Sequence, residues 1–172
     1  MKPTPDTTAP LEPPDSHHLS AAEGWLELGN PAEAAVELAA IAPNSAVHPA
    51  VLELNWQIQA RGGKWETCLE LASRLVRLYP GLPTGWVHRS YTLHELKRTV
   101  EARDQLLPAM ARFPNEVVLA YNLACYECCL GNLPMARRWL QQTFARPNSE
   151  LWRRAAQTDP DLTPLRPEIE KL

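Results

Sequence analysis

Residues 131–140, GNLPMARRWL, share their punctuation with 29–38 (GNPAEAAVEL), 63–72 (GKWETCLELA) and 97–106 (KRTVEARDQL). The four stretches begin 34 residues apart, and Gly29, Gly63, Lys97 and Gly131 open them. Each then carries a small residue at the same place: Ala34, Cys68, Ala102 and Ala136. Leu38, Ala72, Leu106 and Leu140 fill a second shared position, and Pro80 and Pro114 keep the same step. Self-similarity at a period of this length marks a chain built from repeated supersecondary units.

Each unit reads as a pair of helices. Glycine supplies the left-handed backbone that closes a helix, so Gly29, Gly62-Gly63 and Gly131 separate the two helices of their units. First helices are predicted over about 17–28, 49–61, 84–96 and 117–130. Second helices are predicted over about 32–41, 65–78, 100–112 and 133–145. Pro43, Pro80, Pro114 and Pro147 end the second helices, because proline cannot continue a helix. Pro43 cuts the first unit's second helix about one turn short.

The four units then span 17–46, 49–80, 83–114 and 117–148 within a repeat domain of 17–148. Residues 1–16 are rich in Pro, Thr and Asp without periodicity, the composition of a disordered arm. Residues 149–172 read as a cap and tail, with a short helix over about 149–157 broken by Asp159-Pro160-Asp161. Leu162, Leu165 and Ile169 are placed to fold the tail back onto the last unit.

The chain has 172 residues, 45% hydrophobic and 22% charged, with a net charge of −3. That balance gives no field favouring nucleic acid. Residues 1–60 hold one cation, Lys2, and an excess of acids, while the rest of the chain is basic. No apolar run has the length that spans a bilayer, and MKPTPDTTAPLEPPDS lacks the apolar core of a signal peptide. Cys68, Cys125, Cys128 and Cys129 show no disulfide spacing, so reduced thiols in the cytoplasm are expected.

Over residues 17–148 the chain resembles the tetratricopeptide repeat family. Trp86 supplies that family's bulky residue early in a first helix, and Leu123 and Leu140 match its apolar positions. Ala34, Ala102, Ala109, Ala124 and Ala136 match its small residues where paired helices touch, with Cys68 standing in. Trp56 departs from the pattern, since the family has a small residue there. It is expected to fill space left by the short second helix of the first unit. The resemblance implies an all-α, right-handed α-solenoid of about four helix-turn-helix repeats with a C-terminal capping helix. It also implies a non-catalytic scaffold that holds a peptide or helix of another protein in a concave groove of first helices.

Carried onto this chain, the family's inner positions give a groove of Glu23, Glu27, Glu53, Gln57 and Arg61, then Thr84, Val87, His88, Tyr91, His94 and Glu95. Tyr121, Asn122, Cys125 and Cys128 complete it. Tyr and His combine apolar area with a polar tip, which suits peptide binding. Members that grip a C-terminal carboxylate of chaperones use Lys, Arg and Asn, and only Asn122 matches that set. A chaperone-like or self-assembling role is the alternative reading.

Cys125-Tyr126-Glu127-Cys128-Cys129 contains a CxxC, but in the second half of a helix, away from the helix N-terminus that lowers thiol pKa in redox enzymes. His94 is expected to approach Cys125 or Cys128. A thiol or metal sensor on Cys125, Cys128 and Cys129 is a further alternative. No second Cys/His pair is spaced to complete a structural zinc site, so no metal and no cofactor is expected. No oxyanion-hole turn, P-loop or dinucleotide fingerprint appears, so no enzyme is expected. Arg137, Arg138, Arg146, Arg153 and Arg154, interleaved with Trp139 and Trp152, read as a charged face with Trp packed inward rather than a nucleic-acid surface.

Overall fold

The computed structural model describes residues 10–147 and 149–172. The described residues form helices and no strands. The first helices of the four units are α1 (Asp15–Glu27), α3 (Pro49–Arg61), α5 (Pro83–Glu95) and α7 (Val117–Cys129), each of 13 residues. The second helices are α2 (Pro31–Ala40), α4 (Trp65–Leu78), α6 (Thr99–Arg112) and α8 (Leu133–Phe144). Both sets start at intervals of 34 residues, so the period in the sequence is the period of the backbone. A last helix α9 (Ser149–Thr158) precedes a 3-10 helix, Pro160–Lys171.

The turn residues set this regularity. Gly29, Gly63, Lys97 and Gly131 have φ values of 78°, 65°, 64° and 80°, the left-handed conformation. The amides that follow them donate back to the ends of the first helices: Asn30 to Trp25 (2.9 Å), Lys64 to Gln59 (3.0 Å), Arg98 to Leu93 (2.9 Å) and Asn132 to Glu127 (2.8 Å). This six-to-one bond satisfies a helix-terminal carbonyl and turns the chain into the next helix within two residues. Downstream, Ala34, Cys68, Ala102 and Ala136 are all fully buried. Cys68 shows why the position is small: its Sγ lies 3.7 Å from the Trp56 carbonyl oxygen of α3, leaving no room for a longer side chain.

Proline explains the departures. Helix α2 has 10 residues where α4 has 14, and it stops three residues before Pro43. The connection that follows is tied down by the Asp15 carboxylate, which accepts from the Ala42 amide at 3.0 Å. Asp15 and Ser16 are thus helical, whereas the disordered arm expected over 1–16 falls mostly on residues 1–9, outside the described residues. His18 bonds Glu37 of α2 at 2.8 Å.

The chain divides into two compact units within α5, one ending at Arg89 and the other beginning at Ser90. In the first, α1 packs on α2 and α3 around Ala22, Leu26, Ala34, Leu54 and Ile58. Trp56 packs with Cys68 and Ala72 of α4 and stacks on His88, ring centroids 3.8 Å apart and 6° from parallel. Its large ring thus packs against α4 and α5.

In the second unit α7 is the central helix. It packs on α6, α8 and the 3-10 helix, and nine of its residues are buried. Leu162, Leu165 and Ile169 of the 3-10 helix are fully buried, so the tail does fold back. Pro160, Pro164 and Pro167 fit that helix because their fixed φ matches its backbone.

Candidate functional site

Two concave surfaces hold part of the groove singled out in the sequence; Thr84, Val87, His88, Asn122, Cys125 and Cys128 line neither. The first lies between α1 and α3, has a volume of about 380 Å³, and is lined by Glu23, Leu26, Glu27, Ala50, Glu53, Leu54, Gln57 and Arg61. Positions 53, 57 and 61 share one face of α3 because residues four apart are neighbours on a helix. Arg61 Nη1 donates to the Leu26 carbonyl near the end of α1. Its charge is therefore held at one end of the groove. Glu23, Glu27 and Glu53 leave the surface acidic.

Glu53 is half-buried, and burial pushes its carboxyl up from the usual range. His88 lies 3.9 Å from it. Burial pushes the His88 imidazole down to about 4, so it is neutral at neutral pH. Desolvation outweighs a carboxylate at that separation, and the pair is a neutral ring beside an acid rather than a salt bridge.

The second surface, of about 720 Å³, lies in the unit that begins at Ser90. Tyr91, His94, Glu95 and Lys97 line it with Tyr121 of α7, and the other wall is Ala155, Thr158, Asp159, Pro160 and Asp161. Of the sequence candidates it brings together Tyr91, His94, Glu95 and Tyr121. The other candidates on α7 lie deeper: Tyr121, Cys125 and Cys128 are 7%, 4% and 3% exposed, and Asn122 is half-buried. The expected open groove face is here covered by the chain's own tail, whose apolar residues bury against α7.

A polar cluster joins tail and helices. Tyr121 donates to Asp159 Oδ2 at 2.8 Å, and the Cys125 thiol lies 3.6 Å from the same oxygen. Asp159 Oδ1 accepts from the Asp161 amide at 2.9 Å, which fixes the turn between the two carboxylates. Asp161 Oδ2 is 3.0 Å from His94 Nε2. The other ring nitrogen, Nδ1, is 3.0 Å from Thr99 Oγ1. Cys129 Sγ reaches the Asp161 carbonyl oxygen at 3.9 Å.

His94 therefore meets Cys129 and Asp161, where the sequence pointed to Cys125 or Cys128. Cys129 had a signal, standing one turn after Cys125 and so on its face. Asp159 and Asp161 had none: their nearness to α5 and α7 depends on the return of the tail.

The thiols here are not activated. Burial, followed by the charges of Asp159 and Asp161, pushes Cys125 well up. Partial desolvation and Asp161 push Cys129 up to about 12, and burial raises Cys128. The thiolate is the reactive form of cysteine, so these groups have the opposite of a nucleophile's environment.

Four of the basic residues near the C-terminus, Arg137, Arg146, Arg153 and Arg154, are engaged within the chain. Arg137 forms a bidentate pair with Glu168 at 2.6 and 2.8 Å. Arg146 donates to the Pro114 carbonyl at 2.6 Å, and Arg154 bonds Glu150. Arg153 lies over the Phe144 ring at 4.4 Å, and Trp152 packs on Tyr121.

No family model matches this chain, and no curated protein matches it either.

Proposed function

We propose that this protein is a non-catalytic interaction scaffold of the tetratricopeptide kind, binding a peptide or helix of another protein along its first helices. The observation that carries the reading is the α1–α3 groove. The residues that line it include Glu23, Glu27, Glu53, Gln57 and Arg61, the positions that the family resemblance assigns to partner binding. With Arg61 held by the Leu26 carbonyl, three carboxylates face the groove. The partner segment is therefore basic: Lys or Arg side chains reach the acids while its stem lies on Ala50 and the edges of Leu26 and Leu54. Complementary charge of this kind gives specificity and speeds encounter.

The test is fluorescence polarisation with short labelled peptides of graded charge. Basic peptides bind the wild-type chain and weaken as salt rises. A Glu27→Gln, Glu53→Gln double variant loses about tenfold in affinity, or 1.4 kcal/mol. Equal binding of acidic and basic peptides, or an unchanged double variant, overturns the assignment.

A further inference from the structure

We infer that His94, Cys129 and Asp161, with Cys125 as fourth ligand, form a zinc site that ties the C-terminal tail to α5 and α7. This site is inferred without resting on the reading of the α1–α3 groove.

His94 Nε2, Cys129 Sγ and an Asp161 carboxylate oxygen all lie within 4.8 Å of one another. Cys125, Asp159 and Asp161 form a second such group, and Asp161 belongs to both. Donors around a tetrahedral zinc ion stand roughly 3.5 Å apart, so the first three close on an ion with shifts of about an ångström. Cys125 shares Cys129's face of α7, one turn away; its thiol stands with Asp159 and Asp161 rather than with His94 and Cys129, and a turn of its side chain brings it to the ion as fourth ligand. Two thiolates, an imidazole and a carboxylate suit zinc better than magnesium or calcium, which prefer oxygen ligands throughout.

Two further features fit a ligand role. Thr99 Oγ1 engages His94 Nδ1, which leaves Nε2 aimed into the cluster; a metal-bound histidine has its second nitrogen held in this way. Asp159, oriented by the Tyr121 hydroxyl and the Asp161 amide, stands behind Cys125. Cys129 is exposed, which gives the ion a path from solvent. On binding, Nε2 gives up its hydrogen bond to Asp161 and presents its lone pair, with the ring proton on Nδ1 donated to Thr99. The Cys125 and Cys129 thiols each release one proton to the buffer, and no oxidation is involved.

The experiment strips the full-length protein with a chelator and reloads it with Co²⁺, then with Zn²⁺. One Co²⁺ binds, with visible d–d bands and a near-ultraviolet thiolate-to-cobalt band, and Zn²⁺ displaces it. Competition with a chromophoric chelator gives the Zn²⁺ affinity. Cys129→Ser and Asp161→Asn each lower it by about tenfold or more, and Thr99→Val by about tenfold through loss of the ring's hydrogen bond. A His17→Ala, His18→Ala variant retains full affinity, which separates this site from binding at the N-terminal histidines. Zn²⁺ raises the melting temperature of the wild type and not of Asp161→Asn. The wild-type cobalt spectrum decides the matter even where a variant fails to fold. No Co²⁺ uptake, a spectrum without the thiolate band, or unchanged affinity in a folded Cys129→Ser, Asp161→Asn double variant overturns the site.

Discussion

Lys97 has a φ of 64°, within a degree of Gly63, its counterpart one repeat earlier at 65°. A residue with a Cβ is strained in that region by about 1–2 kcal/mol, whereas glycine enters it freely. Lys97→Gly therefore stabilises the chain by about 0.5–1 kcal/mol, the relief of strain being partly offset by glycine's looser unfolded state. Gly63→Ala does the reverse, costing about 1 kcal/mol, and the strain is conformational because a Cβ there meets nothing within 4 Å. Urea midpoints that move in these opposite directions at constant slope are the expected result.

The same turn explains why so much of the fold was legible. Glycine and proline act locally, so Gly29, Gly63 and Gly131 fixed the ends of α1, α3 and α7 to within a residue or two of the predicted limits. Pro43 likewise foretold the short α2. The cluster on the tail was not legible in this way. Asp159-Pro160-Asp161 reads as a helix stop whatever lies nearby, and its meeting with His94 depends on Leu162, Leu165 and Ile169 burying together. Burial of Cys125 and Cys128 was missed for the same reason: helical periodicity gives the face of a side chain but not what covers that face.

Gly85 and Gly24 both lie inside first helices, and the same substitution has opposite effects at the two. A Cβ on Gly85 would stand 2.9 Å from Leu75 Cβ and 3.0 Å from the Val76 backbone nitrogen. Backbone of α4 cannot yield cheaply, so overpacking of about 1–3 kcal/mol outweighs the gain of about 1 kcal/mol in helix propensity. Gly24 has nothing within 4 Å of its Cβ position. Gly24→Ala therefore raises stability by about 0.5–1 kcal/mol, and Gly85→Ala lowers it. Thermal unfolding of the two variants side by side tests the close approach of α5 to α4.

Trp56 and His88 make stability depend on pH. The folded imidazole resists its proton until about pH 4, whereas the ordinary value is 6.5. Between those values the unfolded chain binds a proton that the folded chain does not, so stability is complete above pH 6.5 and falls as pH drops toward 4. The loss is about 3 kcal/mol, since each tenfold weakening of proton binding is worth about 1.4 kcal/mol. Glu53 works against it at the acid end, because its raised carboxyl takes up a proton more readily when folded. In His88→Phe the decline between pH 6.5 and 5 flattens, while Trp56→Ala costs about 3–5 kcal/mol at every pH. Urea titrations at a series of pH values read both effects.

Leu165 and Glu168 anchor the tail by different means, and burial decides which matters. Leu165 is fully buried, so Leu165→Ala loses transfer energy and leaves a cavity, at a cost of about 2–5 kcal/mol. Glu168 holds Arg137 in a bidentate pair at 2.6 and 2.8 Å, but the Arg137 and Glu168 side chains keep 34% and 43% of their surface in solvent. Water screens such a pair, and Glu168→Gln changes stability little. The two variants also separate local from global loss. If the tail opens by itself, Leu165→Ala exposes Cys125 and Cys128 to a thiol reagent well before α7 unfolds. If tail and α7 form one cooperative unit, labelling and unfolding keep the same midpoint. Because nine residues of α7 are buried and the tail supplies one wall of their core, the second outcome is expected: Cys125 labels only with global unfolding, at a lower urea midpoint in Leu165→Ala than in Glu168→Gln.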